Sequence, residues 1–175
     1  MVERYLYGDA SLIERLLPQL ELMEEAEGGW AAVFKDKASN VFWMKCYTSA
    51  GEQLGGGYEL LIRLPLPSTD KLIAVALETP HEDEAVAAIM RLLDEEAVEG
   101  KDFRHLLVER LDQLDLPGIA PDRKQRIRQC ITLTSLTDPT NKRPVKGKSL
   151  AQLSADAAYF EAVSEKALAV LGRLK

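Results

Sequence analysis

The pattern of apolar and polar residues is clearest over residues 69–93, where it predicts two consecutive helices that meet at a turn containing Pro80. The second helix has apolar residues at the spacing of one helical face: Val86, Ile89, Met90 and Leu93. Three carboxylates, Glu82, Asp83 and Glu84, fill its predicted first turn, where they meet unpaired backbone N–H groups. This segment therefore predicts an antiparallel helix pair.

The same period predicts four further helices along the chain. They cover residues 11–26, residues 101–115, the segment that begins at Pro121, and residues 154–174. In the first of them, Ser11 lies three residues before Glu14, which is the spacing of a capping box. Pro18 removes an internal hydrogen bond, so it is expected to kink this helix or divide it into two short pieces. The two helices in the middle of this group predict a second helix pair.

A period of two residues replaces the helical period between the first helix and the central helix pair. Short aromatic and β-branched runs predict strands over residues 30–35, 41–47 and 58–64. Pairing the first two strands across their turn places Phe34 opposite Trp43. The same pairing places Trp30 opposite Tyr47. This aromatic face is either core or a recognition surface, and the hairpin's need for a covering layer favours core. The glycines at 55–57 are interpreted as a connection, because no phosphate-binding motif includes them.

These elements predict an α+β, mainly helical fold for the 175 residues, with a small antiparallel three-stranded sheet that precedes HEAT-like antiparallel helix pairs. The length fits a single domain. Its predicted parts are a helix with the small sheet (1–65), two helix pairs (66–136), a basic loop (137–149) and a C-terminal helix (150–175).

Composition places the chain in the globular class, with 46% hydrophobic and 29% charged residues. No apolar run approaches the roughly 20 residues that a membrane-spanning helix needs. Glu3 and Asp9 stand where a secretory signal would be basic and then apolar. We therefore expect a cytoplasmic protein without a membrane partner. Cys46 and Cys130 are expected to be buried, reduced thiols and not a disulfide.

The formal net charge of −6 is unevenly distributed. Residues 66–118 hold 13 acidic and 5 basic side chains, whereas residues 119–148 hold 2 acidic and 8 basic ones. Patches of opposite sign either lie against each other within the molecule or meet different partners. Both possibilities stay open at this point.

The sequence carries no catalytic signature. His81 and His105 are its only histidines, and neither has a Cys, Asp or Glu at a recognised metal-ligand spacing. The GxSxG, HExxH and phosphate-loop motifs do not occur. We therefore expect neither an enzyme nor a metal or cofactor site.

Two charged surfaces are candidate binding sites. The predicted partner-binding residues are Glu82, Asp83, Glu84, Asp94, Glu95 and Glu96, together with Trp43. The alternative, anion-binding residues are Arg123, Lys124, Arg126 and Arg128. These four cations crowd the first half of their helix, where the helix dipole disfavours positive charge, and an anion, nucleic acid or the acidic helices could each compensate them. The acidic balance of the chain and the lack of interleaved aromatic residues argue against nucleic acid.

The segment LIAVALETPHEDEAVAAIMRLL resembles a HEAT-type repeat, with a helix, a Pro-containing acidic turn and a second helix. The order of a Trp-bearing hairpin (VFWMKCY), a glycine-rich step (LGGGYELLIRLP) and acidic helix pairs also resembles small bacterial immunity proteins of polymorphic toxin systems. This resemblance implies a non-catalytic protein that neutralises a cognate toxin, often a cationic nuclease, through an acidic surface. The alternative function is a regulatory module that binds nucleic acid or a phosphorylated ligand through the basic segment 123–148.

Overall fold

The computed structural model describes residues 4–49 and 57–174, so that two of the three glycines at 55–57 lie outside the described residues. The chain divides into two compact units, Met1–Glu99 and Gly100–Lys175. Each unit has its own set of buried apolar side chains. The α+β class is confirmed, whereas the assignment of all residues to a single domain stays a prediction.

The first unit combines an open five-stranded antiparallel sheet with three α-helices. The strands are β1 (Leu6–Tyr7), β2 (Leu20–Glu25), β3 (Ala31–Asp36), β4 (Phe42–Thr48) and β5 (Tyr58–Arg63). The helices are α1 (Ala10–Leu16), α2 (Thr69–Glu78) and α3 (Glu82–Asp94), and α3 continues into a π-helical turn over Glu95–Glu99. The strand order is β1-β5-β4-β3-β2. The three predicted strands correspond to β3, β4 and β5, and the prediction lacks the two edge strands, β1 and β2. Strand β1 is too short to leave a pattern in the sequence.

The second edge strand was missed because residues 11–26 do not form one helix. Helix α1 ends at Leu16, a 3₁₀ turn that contains Pro18 follows, and strand β2 begins at Leu20. The cap also differs from the prediction, since the carboxylate of Asp9 accepts hydrogen bonds from the first backbone N–H groups of the helix. The apolar residues of 16–23 fit both the helical period and the strand period of two residues. Residues 20–25 form a strand because they pair with β3.

The predicted hairpin register is confirmed. Phe34 lies opposite Trp43, and Ala31 lies opposite Cys46. The β3–β4 ladder begins at Ala31, so Trp30 stands just before it. Strand β5 then pairs with the other side of β4 and places Glu59 opposite Tyr47.

The two faces of the sheet differ in their cover. One face carries Leu60 and Ile62, which are fully buried. Helix α3 packs on this side, since a Cβ atom added at Gly8 would contact both Tyr58 of β5 and Ala87 of α3. On the other face, α1 packs against β1 and β5, and Leu16 at its end lines a depression with Trp43 of β4. We call this second face the open face; it carries Leu22, Phe34, Trp43, Lys45, Tyr47 and Glu59.

The second unit consists of α4 (Arg104–Asp112), α5 (Pro121–Leu133) and α6 (Leu150–Arg173), with a 3₁₀ turn at Leu116–Gly118. Helix α6 begins with a capping box between Ser149 and Gln152. The predicted helix pair over 69–93 is present as α2 and α3, but α4 packs mainly on α6, so the HEAT-like pairing of the second pair is not confirmed. Of the helices in residues 4–49 and 57–174, none combines the length and hydropathy that crossing a bilayer requires.

Candidate functional site

The carboxylate of Glu84, predicted to contact a partner, lies inside the first unit. Its side chain is 1% exposed. One carboxylate oxygen accepts hydrogen bonds from the backbone N–H groups of Tyr5, at 2.6 Å, and Leu6, at 3.2 Å. The other oxygen accepts a hydrogen bond from the Thr79 hydroxyl. The expectation that Glu84 displays its charge outward is wrong, because the carboxylate caps the backbone of strand β1.

Most of the other predicted acidic residues are engaged within the first unit as well. Asp83 forms an ion pair with Arg4 at 2.5 Å. Arg91 lies 3.2 Å from Asp94 and 3.0 Å from Glu95, and the latter is only 3% exposed. The outward display predicted for Glu95 is therefore also wrong. Of the remaining two, Glu82 is exposed and Glu96 is half-buried. The acidic helix surface is thus smaller than the sequence predicts.

The alternative basic segment is also largely engaged, within the second unit. The Arg128 guanidinium donates a hydrogen bond to the backbone carbonyl of Leu174 at 2.7 Å. In the loop before α6, Arg143 and Lys148 both form ion pairs with Asp156. Arg126 is half-buried and has interactions of its own, while Arg123 is exposed and Lys124 is half-buried. The four predicted anion-binding residues all lie on α5, and their binding of an anion stays a prediction.

Two large aromatic side chains at the open face or next to it in sequence are exposed. Tyr47 belongs to the open face and is 45% exposed, and Trp30, the residue just before β3, is 64% exposed, although burial as core was the favoured interpretation. Trp43 is half-buried, with its ring centroid 5.4 Å from that of Tyr7. Leu22, which lies across β3 from Trp43, is 53% exposed. Apolar surface therefore continues across β2, β3 and β4.

Tyr47 is held in place by a charged pair on the same face. Its hydroxyl donates a hydrogen bond to the Glu59 carboxylate at 3.1 Å, and the Lys45 ammonium lies 3.3 Å from the same hydroxyl. Lys45 and Glu59 also form an ion pair at 2.8 Å. The hydrogen bond to Glu59 raises the pKa of Lys45, so the ammonium stays charged. The Tyr47 ring is thus ordered before any partner arrives.

An acidic edge strand borders the open face. Strand β2 is exposed from Glu21 to Glu25, and its outer side has no paired strand among the described residues. Residues 20–27 contain four glutamates and no basic residue. A β-bulge at Met23 interrupts the pairing of β2 with β3. The pattern of residues 11–26 predicts a helix and therefore not this edge strand; the lack of cations and the preceding Pro18 are the sequence features that favour an edge strand.

The first unit has two depressions lined by described residues. One, of about 80 Å³, lies between α1 and the open face and is lined by residues that include Tyr7, Leu16 and Trp43. The other, of about 230 Å³, contains Lys71, Thr79 and Glu84, and the Glu84 carboxylate accepts three hydrogen bonds, one of them from the Thr79 hydroxyl. Within the first unit this carboxylate therefore has a structural role at the start of β1.

The thiols and histidines do not form a reactive or metal-binding group within the described ranges. Cys46 and Cys130 are buried and free, as predicted, and burial raises their pKa to about 11 and about 12. No three His, Cys, Asp or Glu side chains in residues 4–49 and 57–174 come together as a possible metal site. The chain has no significant match to a protein-family model, a curated protein or a solved structure.

Proposed function

We propose that the chain is a non-catalytic protein-binding protein that docks a cationic partner on its open face and along strand β2. The sharpest form of the proposal is an immunity protein that neutralises a cognate toxin. The observation that carries it is the joint exposure of Trp30, Tyr47 and Leu22 beside an edge strand rich in glutamate. Large aromatic residues and an acidic border are together typical of a protein-binding surface.

The exposed aromatic side chains would favour specific binding if a partner buried them. Tryptophan and tyrosine dominate the energetics of protein interfaces because each buries a large apolar area and keeps a polar handle. The half-buried side chains of Phe34 and Trp43 continue the surface between Leu22 and the Lys45–Glu59 pair. A partner that covers this region would remove two exposed rings from water without first having to order Tyr47.

Charge supports the choice of a cationic partner. Strand β2 at the border of the open face carries the exposed Glu21, Glu24 and Glu25, and the chain carries a net charge of −6. Glu25 lies opposite Ala32 on the open face, whereas Glu21 and Glu24 project on the other side of the same strand. Complementary charge accelerates encounter and disfavours acidic competitors. The acidic residues proposed to meet the partner are therefore those of strand β2 and not the α3 carboxylates, most of which pair within the first unit.

The proposal is tested with the purified product of the gene next to that of this chain, because toxins and their immunity proteins are expected as neighbours. A Trp43→Phe variant leaves Trp30 as the only tryptophan. Binding should shift its fluorescence emission to shorter wavelength as the ring leaves water. Tyr47→Ala should weaken binding about 30-fold, which corresponds to a hot spot of about 2 kcal/mol.

The matched control is Leu168→Ala, which removes another exposed apolar side chain, from helix α6 in the second unit. It should leave affinity unchanged. Equal affinity of Tyr47→Ala and the parent protein would remove the open face from the proposal. A neighbouring gene product that neither binds nor is neutralised would contradict the immunity function.

A further inference from the structure

The backbone of strand β2 is available for pairing along its outer edge. It is the last strand of the sheet, its residues from Glu21 to Glu25 are exposed, and no described strand lies beyond it. An edge of this kind presents N–H and C=O groups that can hydrogen-bond to an added strand. Extended peptides bind many proteins in this way, with backbone hydrogen bonds for affinity and alternate side chains for specificity.

Up to the bulge, the side chains of β2 divide by chemistry between the two faces. Leu20 and Leu22 pair with residues of β3 that lie on the open face, and after the bulge Glu25, opposite Ala32, lies on the same face. Glu21 and Glu24 lie opposite Lys35 and Val33, and so project on the other face. An added strand would place its own alternate side chains beside these two sets.

This division selects the sequence of the incoming strand. Apolar side chains fit beside Leu20 and Leu22, and basic side chains fit beside Glu21 and Glu24. Lys35 lies opposite Glu21 and offsets part of its charge, whereas Glu24 lies opposite the uncharged Val33. A cation of the partner should therefore interact more strongly with Glu24 than with Glu21.

A second copy of this chain is a poor occupant. Pairing β2 with β2 would bring glutamates from both copies together, and like charges opposite each other destabilise a strand pair. The bulge at Met23 also twists the edge and limits each uninterrupted stretch of the ladder. Both features protect the edge against self-association while leaving a short basic strand acceptable.

We propose that β2 binds an extended segment of the partner as a sixth strand, and that this segment alternates apolar and basic residues. The inference rests on the proposed protein-binding function and specifies how the partner is recognised. The apolar side chains of the segment extend the open face past Leu22, and its basic side chains pair with Glu21 and Glu24. The new strand thereby joins the aromatic surface to the acidic border.

The test uses the full chain and a blocked octapeptide of alternating valine and lysine as the probe. Binding is followed by the backbone amide signals of the protein in NMR spectra. The expected result is that the amides of β2 shift and become protected from hydrogen exchange. Two control peptides have the same charge: one places four valines before four lysines, and the other carries N-methyl groups at every backbone nitrogen. Both should bind about tenfold more weakly, because the first loses the alternation and the second loses the backbone donors of both its edges.

A matched pair of protein variants tests the charge. Glu21→Lys combined with Glu24→Lys should weaken binding of the alternating peptide about tenfold. Glu161→Lys combined with Glu165→Lys makes the same change in net charge at exposed positions of helix α6 and should leave affinity within about twofold.

Equal affinities for the alternating and N-methylated peptides, or amide shifts that avoid β2, would overturn strand addition. Neither result touches the proposed docking function, because the Trp30 emission experiment with the whole partner does not need a paired edge. Conversely, loss of the Trp30 response with intact peptide binding at β2 would contradict docking on the open face alone.

Discussion

The carboxylate of Glu84 on α3 lies 2.6 Å from the backbone nitrogen of Tyr5, almost eighty residues earlier in the chain. This hydrogen bond and its neighbour to Leu6 tie the shortest strand of the sheet to a helix. Removing the carboxylate leaves buried backbone donors without an acceptor, and each such group costs about 1–3 kcal/mol.

Glu84→Ala should therefore lower the free energy of unfolding of the first unit by about 2–4 kcal/mol. Both tryptophans belong to this unit, so urea unfolding followed by tryptophan fluorescence reports on it directly. Glu82→Ala, at the exposed start of the same helix, is the matched control and should change stability by less than about 0.5 kcal/mol. Equal effects of the two substitutions would contradict the capping role of Glu84.

The two tryptophans should differ in their importance for stability. Trp43→Ala removes a half-buried ring that packs on Tyr7 and should cost about 2 kcal/mol. Trp30→Ala removes a ring that is mostly in water and should cost about 0.5 kcal/mol or less. Thermal unfolding followed by circular dichroism measures both. A strongly destabilised Trp30→Ala variant would mean that Trp30 is part of the core.

The loop before α6 makes the stability of the second unit depend on pH. Hydrogen bonds from Lys148 and then Arg143 lower the pKa of Asp156. A carboxyl group whose pKa is lower in the folded than in the unfolded state contributes its full stabilisation above the unfolded pKa of about 3.9. This contribution is lost as pH falls through the lower, folded value.

Melting temperatures measured between about pH 6 and pH 2.5 should therefore fall on acidification, and the fall should be smaller in Asp156→Asn. Helical circular dichroism contains signals from both units, and tryptophan fluorescence, which reports on the first unit, separates the two. Glu161→Gln, at an exposed position in the middle of α6, is the control and should follow the parent curve. Parallel curves for the parent protein and Asp156→Asn would refute a specific contribution from this carboxylate.

The two cysteines should be unreactive in the folded protein. Burial raises the pKa of Cys46 to about 11 and that of Cys130 to about 12, so little thiolate exists at pH 8. A thiol-specific disulfide reagent should therefore modify both residues at least about a hundredfold faster in guanidinium chloride than in buffer. Rapid modification of one residue in buffer would show that its surroundings open readily.

The sequence predicted those features that depend on local pattern. Helices α2 and α3 and the register of Phe34 against Trp43 follow from periodicity and turn length. Strand β2 could not be distinguished from a helix, because its leucines and methionine fit both periods and its pairing with β3 decides between them. Local sequence pattern could not predict which acidic residues are buried, because Glu84 comes close to Tyr5 only after the chain has folded.

The clamp of Lys45 and Glu59 on the Tyr47 hydroxyl has a kinetic consequence for recognition. Fixing a free side chain at an interface costs about 0.5–1.5 kcal/mol of conformational entropy, and here folding has already restricted the rotamer. A partner would therefore meet a rigid ring at Tyr47 and need no rearrangement there. The Glu59→Gln variant should hold this ring less firmly. It should therefore raise the dissociation rate constant of the complex, with little change in the association rate constant.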